Sequence, residues 1–149
     1  MEDMGKFAAV LMEEIEKDLI FYDESGGGVT FSGGEPLCQP QLLFMLLDLC
    51  REKEINTCVD TSGYGDIEDL LKAAEKADLI LYDIKLIDET MHKKYTGQGV
   101  APVLDNLKQL SKQKGDVRLR FPFIPRVTDT DENIGQIIAF LRDNTIYRN

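Results

Sequence analysis

Short apolar runs alternate with helix-patterned stretches along this chain, and that alternation restricts the fold more than any other feature. The runs Val29-Thr30-Phe31, Thr57-Cys58-Val59-Asp60, Leu79 to Ile84 and Val117 to Ile124 read as strands, and a helical pattern follows each. Antiparallel strands can be joined by a tight turn, but parallel ones need a crossover of a dozen or more residues, which a helix supplies. The order therefore predicts an α/β fold with a parallel sheet of four βα units, covered by helices through right-handed crossovers. Residues 1–149 are expected to form one domain, long enough for a sizeable core.

The helical stretches can be placed from their apolar spacing. Phe7, Val10, Leu11, Ile15 and Leu19 predict an amphipathic helix before the first strand. Pro40 opens a second, with Leu42, Leu43, Leu46 and Leu49 inward. Asp66 caps a third, with Ile67, Leu70, Leu71 and Ala74 inward. A short helix around Met91 to Tyr95 precedes one carrying Val103, Leu107 and Leu110. The last is predicted to bury Ile134, Ile137, Ile138 and Leu141, after an acidic start at Asp129-Thr130-Asp131-Glu132.

Charge and composition exclude whole classes of function. With 17 Lys+Arg against 27 Asp+Glu the formal charge is −10, and no basic run offers phosphate neutralisation, so nucleic-acid binding is not expected. No apolar stretch approaches the ~18 residues of a membrane span, and the charged N-terminal segment does not read as a secretory signal. The three cysteines, Cys38, Cys50 and Cys58, match neither a disulfide framework nor paired zinc ligands. Cys50 and Cys58 lie in apolar runs and read as buried thiols, whereas Cys38 follows a glycine-rich turn. A reducing, cytoplasmic compartment is the expectation.

The unusual polar residues collect just past the strands, where parallel α/β folds place their functional groups. The first strand ends Ser32-Gly33-Gly34-Glu35, the second Asp60-Thr61-Ser62-Gly63, the third Asp83-Ile84-Lys85, and the fourth carries Arg118 and Arg120. Side chains two apart share a face, so Asp83 and Lys85 point the same way. Glu35, Asp60, Asp83, Lys85 and Arg120 are thus expected on one rim, a polar site suited to a zwitterion. No Lys-Ser/Thr follows the glycines, which excludes a P-loop, and no strand-to-helix GxGxxG is present. His92, the only histidine, reads as a surface or capping residue.

The string Ser25-Gly26-Gly27-Gly28-Val29-Thr30-Phe31-Ser32-Gly33-Gly34-Glu35-Pro36-Leu37 closely resembles the glycyl-radical-enzyme activating enzymes. These are radical S-adenosylmethionine (radical SAM) proteins typified by pyruvate formate-lyase-activating enzyme. The resemblance continues through Asp60-Thr61-Ser62-Gly63, Asp83-Ile84-Lys85, His92, Gly97, Arg120 and Pro125. It implies a partial parallel (βα) barrel of the radical SAM type. It also implies S-adenosylmethionine as cofactor, held by Gly33, Gly34 and Glu35 at its amino group and contacted by Asp60, Lys85 and Arg120. A monovalent cation at Asp60, Thr61 and Asp83 is implied beside the cofactor's carboxylate. A [4Fe–4S] cluster, an electron donor and a glycyl radical enzyme as partner are implied for the full-length protein.

The sequence departs from the resembled family in three ways. It is expected to stop, at Asn149, before the family's last strand and C-terminal ligand-binding segment. The cluster motif CxxxCxxC is absent, and the three thiols present have the wrong spacing to replace it. Val100 stands where the family often carries Asn. The chain is accordingly expected to be an internal fragment, inactive alone, of an enzyme that cleaves S-adenosylmethionine reductively. The alternatives are a non-catalytic S-adenosylmethionine- and cation-binding module or degenerate paralogue, and an unrelated barrel enzyme using Asp60, Asp83 and Lys85. Four strands leave two sheet edges, so self-association is expected unless the first helix folds across the open end.

Overall fold

A computed structural model describes residues 2–113 and 115–146. In chain order it contains α1 (Glu2–Ile15), a 3-10 turn, α2 (Leu19–Ser25), β1 (Gly28–Phe31), a second 3-10 turn (Pro36–Cys38) and α3 (Pro40–Glu52). Then follow β2 (Asn56–Thr61), α4 (Ile67–Lys76), β3 (Leu79–Asp83), α5 (Glu89–Thr96), α6 (Ala101–Leu110), β4 (Val117–Arg120) and α7 (Asp131–Asp143). The four strands pair in the order β1-β2-β3-β4, every pair parallel.

The two faces of the sheet differ completely. On one face Val59, Thr61, Ile80, Tyr82 and Ile84 are buried under residues of α3, α4, α6 and α7. The other carries Thr30, Cys58, Asp60, Leu81, Asp83, Arg118 and Arg120, none of them fully buried. A parallel sheet normally carries cover on both faces, so this architecture is a partial barrel whose interior side lies open.

Local signals explain most element ends. Asp66 accepts from the Glu68 N–H at 2.8 Å and Thr130 from the Asn133 N–H at 3.2 Å, the N-caps of α4 and α7. α5 is capped by Asp88, accepting from the Met91 N–H at 2.7 Å, and stops at Gly97 in the left-handed region.

Three expectations need correction. β4 stops at Arg120 instead of reaching Ile124, because Pro122 offers no N–H and the Ile124 carbonyl turns back to accept from the N–H groups of Val127 and Thr128. α1 turns Ala8 and Met12, not Phe7 and Val10, onto Leu46 and Cys50 of α3. It therefore lies outside α3 in the helical layer and does not cross the open face. In α7, Ile137 is buried while Ile138 is exposed.

Candidate functional site

Register builds the polar rim. Asp83 is the direct cross-strand partner of Arg120, and Asp60 lies beside Leu81 two residues nearer the strand ends than Cys58. The Arg120 guanidinium reaches both acids, its Nε donating to Asp83 Oδ1 at 2.8 Å and an Nη to Asp60 Oδ1 at 2.6 Å. Lys85 Nζ donates to Asp83 Oδ2 at 3.2 Å, and the Ser32 hydroxyl to Asp60 Oδ2 at 3.4 Å. Burial, the largest influence on the Asp83 carboxyl, would raise it; the Arg120 hydrogen bond and the Lys85 charge together outweigh burial and hold it below the usual value. The same bond to Asp83 raises Arg120. The structure thus brings Asp60, Asp83, Lys85 and Arg120 together.

Thr61 does not join them. Strand alternation sends its side chain to the helical face, where its hydroxyl donates to Glu35 Oε1 at 2.6 Å and accepts from the Gly63 N–H at 2.9 Å. Arg120 and Lys85 also balance the two aspartates in charge. Asp60 and Asp83 thus meet through Arg120, while the Thr61 side chain lies apart from them. Among the described residues no group of three or more His, Cys, Asp or Glu is arranged to hold a metal ion.

Glu35 lies at the base of the turn after β1. Its Oε1 also accepts from the Leu37 N–H at 3.2 Å, and its Oε2 accepts from the Ser62 N–H at 2.9 Å and the Ser62 hydroxyl at 2.6 Å. The loop after β2 is clamped from two further sides. The Asn106 side-chain amide donates to the carbonyls of Gly63 and Gly65 at 2.8 and 2.9 Å. Gly63 has φ +73°, and a Cβ there would come within 1.7 Å of the Tyr82 hydroxyl oxygen, so only glycine fits. That hydroxyl donates to the Val103 carbonyl at 2.7 Å, while burial raises the pKa of the phenol.

Beside the rim opens a cavity of about 560 Å³, walled by Tyr64, Leu86, Tyr95, Val103, Ile124 and Val127 and bordered by Glu35, Asp83, Lys85 and His92. His92 is buried, against the surface half of its reading as a surface or capping residue. Its Nδ1 lies 2.8 Å from the Gln98 carbonyl, which can only accept, so the proton sits on Nδ1. Ser62, Tyr64, Tyr82 and Asn106 were not singled out as site residues; the polar Asn106 within the apolar stripe of Val103, Leu107 and Leu110 was the available signal.

Comparison with known proteins shows the family. The family model of the radical SAM superfamily matches residues 2–141. This chain belongs to the radical SAM superfamily. Within it, the chain is 45% identical over 135 residues to the trans-4-hydroxy-L-proline dehydratase activating enzyme of Clostridioides difficile, covering 89% of this chain and 45% of that protein. It is 40% identical over 144 residues to the choline trimethylamine-lyase activating enzyme of Oleidesulfovibrio alaskensis (strain ATCC BAA-1058 / DSM 17464 / G20), covering 97% of this chain and 46% of that protein. The crystal structure of a domain of pyruvate-formate lyase-activating enzyme from Bacteroides vulgatus ATCC 8482 superposes with a TM-score of 0.72 at 31% identity, covering 77% of this chain and 71% of that one. The chain spans about half the length of these curated relatives.

The superfamily implies an iron–sulfur cluster, and the thiols of this chain do not fit one. Cys50 is fully buried, its Sγ 3.9 Å from Met12 Sδ, and burial pushes its thiol up to about 11. Cys38 is exposed in a 3-10 turn, and Cys58 lies half-buried on β2 with its thiol also raised by burial. Three separate elements hold them, and a cluster needs converging thiolates.

Proposed function

We propose that this chain supplies the S-adenosylmethionine-binding part of a glycyl-radical-enzyme activating enzyme. The observation that carries the reading is the meeting of strand ends at one rim, where Lys85 and Arg120 offer cations beside the Ser32–Gly34 turn. A bound amino acid zwitterion needs both, cations for its carboxylate and oxygen acceptors for its ammonium. Lys85 and Arg120 would receive the carboxylate, Gly33 and Gly34 would approach the ammonium, and Asp60 and Asp83 would hold Arg120 in place. The largely apolar cavity beside them has room for the nucleoside. A monovalent cation at Asp60 and Asp83 would accompany the cofactor only if Arg120 turned from the aspartates to the ligand carboxylate.

In the whole protein, S-adenosylmethionine together with a reduced cluster supplies the carbon radical that takes hydrogen from a glycine of the partner enzyme. An electron donor in a reducing cytoplasm completes that reading. No step of it is assigned to the cysteines of this chain, and their separation favours a chain that binds S-adenosylmethionine without cleaving it.

Equilibrium dialysis with S-adenosylmethionine tests the assignment. Lys85→Ala is expected to weaken binding by about tenfold or more, the loss of one hydrogen bond to a charged group. Absence of binding by the wild-type chain would reject the reading. Formation of 5′-deoxyadenosine under reduction would instead make the thiols cluster ligands.

A further inference from the structure

β3 loses its neighbour just past the rim. The Ile84 N–H still donates to the Arg120 carbonyl at 2.9 Å, but Pro122 brings no N–H and the chain after β4 turns away. Residues 85–87 are held instead by one side chain of α7. Asn133 Nδ2 donates to the Lys85 carbonyl at 2.9 Å, and Asn133 Oδ1 accepts from the Ile87 N–H at 3.2 Å. These two bonds, to the carbonyl before Leu86 and the N–H after it, are the pair that a residue of a parallel neighbouring strand makes. The second Nδ2 hydrogen goes to the Thr128 carbonyl at 2.9 Å. With both donors and the oxygen engaged, only this orientation of the amide satisfies all three partners. A flipped amide would set its oxygen against two carbonyls and its NH2 against an N–H. Asn133 is 5% exposed, and its own N–H donates to the Thr130 hydroxyl at 3.2 Å.

We propose that Asn133 is a positioning residue: its amide stands in for a strand at residues 85–87 and so fixes where the Lys85 ammonium is offered on the rim. Lysine has a flexible four-carbon stem, so the placing of its charge depends on how firmly its backbone is anchored. Here the anchors lie on both sides, the Arg120 carbonyl before Lys85 and the Asn133 amide after it. The side chain then reaches Asp83 Oδ2 at 3.2 Å. The same amide fixes Leu86, a buried wall of the cavity, and through the Thr128 carbonyl the loop after β4. The Thr128 hydroxyl carries the tie onward, donating to the Pro122 carbonyl at 2.5 Å and accepting from the Ile124 N–H at 2.7 Å. What the Lys85 ammonium receives rests on the reading above; its placing by Asn133 does not.

The experiment needs no ligand. Nitrogen-15 NMR of the lysine ammonium groups follows Lys85 in the wild-type chain, in Asn133→Ala, in the milder Asn133→Ser and in Thr128→Val, with urea denaturation of each. Asp83→Asn supplies the signal of Lys85 without its carboxylate. Both Asn133 variants are expected to shift the Lys85 signal toward that reference, while Lys76, paired with Asp48, stays where it is. Thr128→Val removes the hydroxyl bonds but leaves the Asn133 amide its three partners, so it should lower stability and leave the Lys85 signal unmoved. An unmoved Lys85 signal in the Asn133 variants, beside a loss of stability, would reduce Asn133 to general support of the fold and overturn the proposal. An equal shift in Thr128→Val would overturn it too. Where neither Asn133 variant folds, the wild-type chain still decides. Both Asn133 side-chain amide protons should exchange with solvent ~100-fold more slowly than an exposed amide, and exchange as fast as an exposed amide would reject the tie. Failure of S-adenosylmethionine to bind in the dialysis would leave each of these results standing.

Discussion

Asp83 sits between two cations, and its ionised form is the one the fold favours. Its carboxyl is held below the ordinary value, mainly because the Arg120 hydrogen bond and Lys85 oppose the effect of burial. A depressed carboxyl stabilises the fold above its unfolded value of ~3.9 and loses that contribution as pH falls through the folded value. Urea denaturation of Asp83→Asn should therefore show a constant deficit against wild type from near neutrality down to mildly acidic pH. The deficit should shrink below about pH 4. A deficit that grows on acidification would contradict the assigned direction. Strand alternation made the shared face of Asp60, Asp83 and Arg120 legible in the sequence. The same rule, carried one residue further, sends the Thr61 side chain to the opposite face. The use of the Glu35 carboxylate was not legible, since its direction depends on a 3-10 turn that no periodicity marks.

Asn106 shows how an element far from the rim holds it in place. It is buried on α6, yet its amide fixes the Gly63 and Gly65 carbonyls of the loop after β2. Asn106→Ala would leave two carbonyls without that donor and is expected to cost about 2 kcal/mol, measured by urea denaturation. Asn106→Asp should cost more, because a carboxylate would oppose the same two carbonyls; a variant as stable as wild type would show that water replaces the amide. Strand order and helix positions were readable because each apolar run is short and each helix has an apolar stripe. Where these stripes are wider than the surface they cover, spacing does not say which residues go inward, hence Phe7, Val10 and Ile138. Pro122 signals the early end of β4, whereas the apolar Phe121, Phe123 and Ile124 around it continue the strand pattern.

For the molecule as a whole, the sheet has two unprotected margins. β1 and β4 are its outer strands, and Phe123, Ile124 and Leu119 near β4 are exposed at 68, 46 and 36%. Edges of this kind pair readily with other backbone, and α1, placed against α3, leaves the β4 margin uncovered. Sedimentation across a dilution series should show association that rises with concentration and falls with Phe123→Lys. A monomer at every concentration would rule it out. The same one-sided layering has a consequence for how such a chain diversifies. Along β2 and β3, each residue that holds the helices is followed by one that faces the opening, so folding and chemistry answer to adjacent codons. A lineage can alter every second position to suit a new partner and leave the intervening ones, and with them the fold, as they were.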